Sequence, residues 1–305
     1  MCRHLGYVGP PVRVGEMLTL GSHSLRTQAW APRDMRHGGT INADGFGVAW
    51  WRVAENDAVT ASRYRNAAPI WTDPAVDEVL GQLESAAVLG AVRSATVGMP
   101  VERSACAPFT RDRWAFSHNG VVPDWRRTLS GVAAEFALIA AELGAEDLFT
   151  PARLLEAESA TDAATLWVLL CDLLATSSPD GEWSGGAPGR GGGVAPPPGR
   201  WGGGRWGSCR PPRGRAGVGP AAPAALRLLV SAILDRAPEA RLNLLLSDGA
   251  QLWATTCHHS LSVLVTDEFA LMSSEPFDDD PRWRSIPDRC LVSARPGALS
   301  VDALL

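Results

Sequence analysis

Four short stretches of this 305-residue chain hold residue types that together could take an amide apart: Cys2, Arg93-Ser94-Ala95-Thr96, His118-Asn119-Gly120 and Asp162. Cys2 directly follows the initiator methionine. Removing Met1 would leave one residue with a thiol of pKa about 8.5 and an α-amine of about 7.7–8.0. Nucleophile and base then sit together: the amine takes the thiol proton, directly or through one water, and later returns it to the leaving group. Arg93 offers a planar guanidinium that can grip a carboxylate with two parallel bonds. The Asn119 side-chain amide and the Gly120 backbone N–H are donors for a developing oxyanion. Asp162 can accept hydrogen bonds from an ammonium. A carboxylate clamp plus an ammonium clamp describes an α-amino acid head. A nucleophile with oxyanion donors describes attack on its side-chain carbonyl, so the implied substrate is a γ-glutamyl amide.

Taken singly, each residue has a plainer role. Cys2 could open a buried strand as a small apolar residue. Arg93 could form a strand-end ion pair, Asn119-Gly120 a hairpin turn and Asp162 a helix cap. His118 reads as structural rather than as a catalytic base. The chemical reading rests on their joint presence.

The elements that must position them follow from pattern. Cys2 to Val8 reads as a strand closed by Gly9-Pro10-Pro11, and Val14 to Leu20 as a short helix. Residues 21–40 read as a long loop over the site. Asp44-Gly45 reads as a tight turn before a buried strand ending in Trp50-Trp51, with Ala58 to Tyr64 as its return. Asp73-Pro74 should open a helix to about Leu83. Ala86 to Val92 is a strand that delivers Arg93, and Trp114 to Ser117 a strand that delivers His118-Asn119-Gly120. Val132 to Leu143, Asp162 to Ala175 and Ala224 to Arg236 have helical periods, with Thr161 or Asp162 capping the second. Strands are expected at Arg241–Leu246, Leu252–Thr256, Leu261–Val265, Ala270–Ser273 and Cys290–Ala294, the first two joined as a hairpin. The implied class is α+β, with packed antiparallel sheets and helices outside.

Residues 177–223 differ in character: Gly, Pro and Arg dominate and few aliphatic side chains are available. Two readings stand. One is a disordered insertion that cannot offset its ordering entropy. The other is GC-rich coding DNA read out of frame, which would leave both flanks intact. The rest is a single domain over 2–305. Apolar content of 46% and a net charge of −5 fit a globular protein without a basic surface, so neither nucleic acid nor membrane is an expected partner. All 28 basic residues are arginine, a composition of GC-rich, bacterial coding. The opening residues do not read as a signal peptide, and the six cysteines lack CxxC spacing, so a reducing cytoplasmic location is expected. Cys257-His258-His259 reads as a strand end or loop rather than a metal site.

The penultimate Cys, Asp44-Gly45-Phe46-Gly47, Arg93-x-Ala95-Thr96, His118-Asn119-Gly120 and Thr161-Asp162 resemble the glutaminase domain of class II glutamine amidotransferases, a family of N-terminal-nucleophile hydrolases. The start Met-Cys-Arg-His-Leu-Gly-Tyr-x-Gly-Pro-Pro, with Ser274-Glu275-Pro276 and the Trp283-to-Val292 segment, is similar to the branch that hydrolyses γ-glutamyl-hercynylcysteine S-oxide in ergothioneine biosynthesis. The resemblance implies a four-layer αββα sandwich, loss of Met1, Cys2 as nucleophile, Asn119 and Gly120 as oxyanion hole, Arg93 with Thr96 on the α-carboxylate and Asp162 on the α-ammonium. It implies a thioester on Cys2 and no cofactor or metal. Val97 and Ala107-Pro108-Phe109 replace histidines frequent in glutamine-using relatives, which argues for another leaving group; a general glutaminase is the alternative. A trimethylammonium on that leaving group calls for aromatic faces, for which Trp30, Trp50, Trp51, Phe109 and Trp283 are candidates. A homo-oligomer is left open.

Overall fold

The computed structural model describes residues 2–34, 41–54, 58–176 and 222–305. The chain opens with β1 (Arg3–Arg13), α1 (Val14–Thr19) and α2 (Leu25–Gln28), then β2 (Phe46–Val53) and β3 (Val59–Asn66). α3 (Ala75–Glu78) leads to β4 (Glu84–Val92), β5 (Phe109–Arg111) and β6 (Trp114–Val121). The helices α4 (Trp125–Glu142), α5 (Pro151–Leu154), α6 (Asp162–Thr176) and α7 (Ala222–Leu234) follow. The remainder is β7 (Arg241–Ser247), β8 (Leu252–Thr255), β9 (Ser262–Val265), β10 (Ala270–Ser273), β11 (Arg284–Ser285), β12 (Cys290–Arg295) and β13 (Ala298–Ala303).

The strands form two antiparallel sheets, ordered β11-β9-β10-β1-β4-β2-β3 and β13-β12-β8-β7-β6-β5. Side-chain alternation makes the layers. On the first sheet Leu5, Tyr7, Phe46, Val88 and Leu271 turn outward and pack with Val14, Leu18 and Leu25 of α1 and α2. On the second, Phe116, Leu242, Leu244, Leu246 and Leu291 turn outward to α4, α6 and α7. The inner faces meet through Val8, Ala49, Leu89, Leu245, Leu252, Ala254 and Met272. Every residue of α6 from Ala164 to Leu174 is buried, because this helix lies against the sheet with α4 and α7 also packed on it. The αββα expectation is met.

Several boundaries differ. β1 does not stop at Gly9-Pro10-Pro11; it runs on to Arg13, and its pairing with β4 breaks register between Val8 and Val12, so the prolines fall where no ladder donor is required. The helix expected to run from Asp73 to Leu83 is one turn, Ala75–Glu78, followed by a 3-10 turn at Leu80–Gln82. Asp73 Oδ1 does cap it, accepting from the Ala75 N–H at 2.9 Å; β-branched Val79 and Gly81 are poor helix formers. α4 begins at Trp125, seven residues before the expected Val132. α7 begins at Ala222, so the last two residues assigned to the Gly/Pro/Arg stretch belong to a helix; Pro223 sits in its first turn, where a missing N–H costs nothing. Residues 177–221 and Met1 lie outside the described residues, as does the part of the expected loop at 35–40.

Candidate active site

Cys2 is placed by the register of β1. Arg3 pairs with Val92, the last residue of β4, so Cys2 lies beside the residues that leave that strand. Its Sγ is 3.7 Å from the Ser94 carbonyl oxygen. His4 shares the Gly6 side of β1, which faces the second sheet: a Cβ on Gly6 would meet Leu252 at 2.9 Å, and His4 Nδ1 is 3.4 Å from Ser117 Oγ. By the same alternation Cys2 is on that inner side. Burial, then the charges of His118 and Arg3, push the His4 imidazole down to about 3, so it stays neutral here.

Arg93 is held by an extension of the β2–β4 pairing. Asp44 N–H donates to Arg93 O at 3.0 Å and Arg93 N–H donates to Gly45 O at 2.8 Å. Asp44 Oδ2 then accepts the Ala95 N–H at 2.7 Å, closing the Arg93–Ala95 bend. Asp44-Gly45, expected as a tight turn before a buried strand, does lead into β2 and also fastens the Arg93 segment. Gly45 has φ +116°, and a Cβ there would lie 2.4 Å from Cys106 Sγ. Asp44 is a site-positioning residue that sequence reasoning missed; its place in a motif with Arg93 was the available signal.

His118-Asn119-Gly120 lies inside β6 rather than after it, with Asn119 opposite Asn243 of β7. The strand continues because its partner offers a full ladder of seven pairs, Ala115–Val121 against Ser247–Arg241. Asn119 is 1% exposed, and neither its Nδ2 nor its Oδ1 has a hydrogen-bond partner. An unpaired buried amide is unusual and calls for a ligand or water. Asn119 alternates with His118 and shares the Ser117 side, the side that reaches His4 and so the sheet that Cys2 precedes. Gly120 admits no side chain: a Cβ would come within 1.8 Å of Arg241 O.

Asp162 opens α6 and accepts two backbone N–H groups, from Val122 to Oδ2 at 2.9 Å and from Ala163 to Oδ1 at 2.8 Å. Each oxygen keeps a lone pair for a ligand. Thr161 supplies the side-chain cap, its Oγ1 accepting from Ala164 N–H at 3.2 Å. His118 Nε2 donates to Arg241 O at 2.9 Å, which turns Nδ1 toward Asp162 Oδ2 at 4.0 Å. This agrees with a structural histidine.

Cys2, Arg93, Thr96, His118, Gly120 and Asp162 line one cleft; Asn119 is not on its wall but is buried in the same strand, between His118 and Gly120 in sequence. The nearby Cys106 thiol is pushed up to about 11 by burial, so it stays protonated and does not compete as a nucleophile. None of the five aromatic candidates for the leaving group is on the cleft wall. Phe109 is in the helix-side core and Trp50 packs on the α1/α2 side. Trp51 donates to Arg113 O at 2.6 Å, Trp283 donates to Asp278 Oδ1 at 2.7 Å, and Trp30 packs edge-on against Trp71 at 5.7 Å. Among the described residues no group of His, Cys, Asp and Glu could hold a metal. His259 is instead buried, its imidazole pushed down to about 2, chiefly by that burial and then by Arg241.

The profile of the family "Glutamine amidotransferases class-II" matches residues 16–143. Over 304 residues the chain is 33% identical to the gamma-glutamyl-hercynylcysteine sulfoxide hydrolase of Mycolicibacterium smegmatis, covering 100% of both proteins. It is also 33% identical to the protein of that name from Mycobacterium tuberculosis strain CDC 1551 / Oshkosh, covering 100% of this chain and 97% of that one. Among solved structures, a glutamine aminotransferase class-II domain protein from Silicibacter pomeroyi superposes with TM-score 0.55 at 17% identity, covering 99% of each chain. Glutamine phosphoribosylpyrophosphate amidotransferase from B. subtilis gives TM-score 0.56 at 11% identity over 99% of this chain and 49% of that one. These two show a shared fold. The full-length identity goes further: the chain belongs to the gamma-glutamyl-hercynylcysteine sulfoxide hydrolase family of class II glutamine amidotransferases.

Proposed function

We propose that this protein hydrolyses the γ-glutamyl amide of γ-glutamyl-hercynylcysteine sulfoxide to glutamate and hercynylcysteine sulfoxide. Arg93, with Thr96, takes the α-carboxylate and Asp162 the α-ammonium. The Cys2 amine, freed by loss of Met1, accepts the thiol proton. Sγ attacks the δ-carbonyl carbon, and the oxyanion forms against Asn119 Nδ2 and the Gly120 N–H. The C–N bond breaks as the amine returns its proton to the leaving nitrogen. Water then attacks the Cys2 thioester, the same amine takes its proton, and the thiol leaves with that proton.

The observation that carries this reading is the buried, unpartnered Asn119 amide in the strand whose His118 and Gly120 line the cleft walled by Cys2, Arg93 and Asp162. A preorganised donor that pairs only with the charge of the transition state accelerates chemistry rather than binding. We place the protein in the cytoplasm as a single unit over 2–305, interrupted by the Gly/Pro/Arg-rich stretch at 177–223. The five described cysteines are free thiols, and no described helix is long and apolar enough to cross a membrane. The test is glutamate release from the sulfoxide and from glutamine, side by side. A strong preference for the sulfoxide supports the reading; equal or better use of glutamine makes the protein a general glutaminase.

A further inference from the structure

The Ser274-Glu275-Pro276 segment takes no part in the chemistry above, yet it is built around the nucleophile's strand. Glu275 is 4% exposed and its carboxylate collects four N–H donors. Oε1 accepts Arg3 Nε at 3.0 Å and the Asp34 N–H at 3.2 Å. Oε2 accepts His23 Nε2 at 2.6 Å and the Arg33 N–H at 2.9 Å. Arg3, itself 1% exposed, passes the constraint on: its Nη1 donates to the Cys2 carbonyl at 3.1 Å and its Nη2 donates to Asp34 O. Beside it Ser274 Oγ accepts the His4 N–H at 3.0 Å and Ser274 N–H donates to His4 O at 3.0 Å.

We propose that Glu275 is the positioning residue of the reaction, holding the Arg3 guanidinium so that Arg3 clamps the Cys2 carbonyl and sets Sγ and the amine against the oxyanion donors. This rests on the proposed function for the reaction, though not for the mount. An N-terminal residue frays unless something ties it down. Here the tie is a buried ion pair whose remaining lone pairs are filled, the condition under which such a pair holds one geometry. The charged and titratable groups facing Glu275 are the Arg3 guanidinium from β1 and the His23 imidazole from the segment after α1, with Asp34 offering its backbone. Burial works to raise the Glu275 pKa, but the His23 bond, the Arg33 N–H, Arg3 and the Asp34 N–H outweigh it, and the carboxyl is held below its ordinary value.

The experiment uses the full chain as Glu275→Gln and, separately, Arg3→Lys. Glutamine would set an NH₂ against donors. Lysine keeps a charge for Glu275 but cannot fork to Cys2 and Asp34. Three readings are taken: kcat and KM for glutamate release, the pH profile of Cys2 alkylation by iodoacetamide, and thermal unfolding. Both variants should lose about 10–100-fold in kcat, the cost of displacing a reacting group by an ångström or so, with KM within about twofold. Both should alkylate faster at Cys2. In Glu275→Gln the alkylation profile should also move to lower pH, because the unpaired Arg3 charge favours the thiolate. A kcat per alkylatable Cys2 equal to wild type, with an unmoved alkylation rate, overturns the proposal. If Glu275→Gln does not fold, Arg3→Lys decides by the same kcat and alkylation readings. Wild type that releases no glutamate overturns the proposed function, while the alkylation rates still decide whether Glu275 mounts Cys2.

Discussion

Asn119 is the residue whose environment makes its role most specific. A buried amide without a partner costs about 1–3 kcal/mol in the resting protein, a cost that an oxyanion would offset. Asn119→Ala should therefore lower kcat by about 10²–10³-fold with little change in KM. Steady-state glutamate release checks this, and a change confined to KM would contradict it. Asp162 differs because its carboxylate has two employers. Asp162→Asn removes the charge proposed to meet the ammonium and leaves one oxygen for the Val122 and Ala163 N–H groups. It should raise KM and lower the melting temperature together; a KM effect at unchanged melting temperature would show that the bonds to the Val122 and Ala163 N–H groups add nothing to stability. Cys2, Arg93, Gly120 and Asp162, singled out by residue type and motif, line one cleft in the fold. Asp44, Arg3 and Glu275 were not read as site residues, because each works through hydrogen bonds to backbone or through partners 31 to 272 residues away, which no local spacing encodes.

At the scale of elements, the strong periods were readable and the short connections were not. α6, α7 and β7 sit within two residues of expectation because each is a long apolar run that one face of a sheet or several helices can bury. β5, β11 and β13 were missed, being two to six residues long or exposed along most of their length, with little apolar pattern to mark them. α5 is likewise a single turn, yet it carries a buried pair: Arg153 Nε and Nη2 donate to Asp172 Oδ1 of α6 at 3.1 and 2.6 Å, and Asp172 Oδ2 accepts the Phe149 N–H at 2.8 Å. Removing one partner of such a pair strands the other. Asp172→Ala should cost about 3–5 kcal/mol of stability, measured by urea unfolding, while kcat of the folded protein stays within about twofold. A loss under about 1 kcal/mol, the range of exposed pairs, would mean that the pair is solvated in solution.

For the whole molecule, the two sheets bring histidines into an interior that cannot accept their charge. His4 and His259 titrate at about 3 and about 2 in the folded protein, against 6.5 when free. Their folded values lie below the unfolded one, so the unfolded chain binds more protons as pH falls. Stability from keeping them neutral is fully present above about pH 6.5 and is lost as pH drops toward the folded values, by up to about 1.4 kcal/mol per pH unit for each. The lowered Glu275 carboxyl adds in the same direction, below the ordinary carboxylate range. Unfolding free energy should thus fall steadily from about pH 7 to about pH 4; a flat profile would contradict the buried, neutral state of both rings. The α+β class with packed antiparallel sheets and helices outside was legible in the strand and helix pattern, and the four-layer αββα order in the family resemblance. The pairing of β1 with both β4 and β10, which sets residues 270–273 beside the strand that follows Cys2, was not, because strand order is set by contacts far apart in sequence.

The central claim is that Cys2, with its amine free, carries the γ-glutamyl group during turnover. The direct measurement is mass spectrometry of the N-terminal peptide from enzyme mixed with γ-glutamyl-hercynylcysteine sulfoxide and quenched in acid within the first turnovers. The expected peptide begins at Cys2, lacks Met1 and bears one glutamyl group on sulfur, with no adduct in Cys2→Ala. A retained Met1 on active enzyme, or a glutamyl group on any other residue, would contradict it.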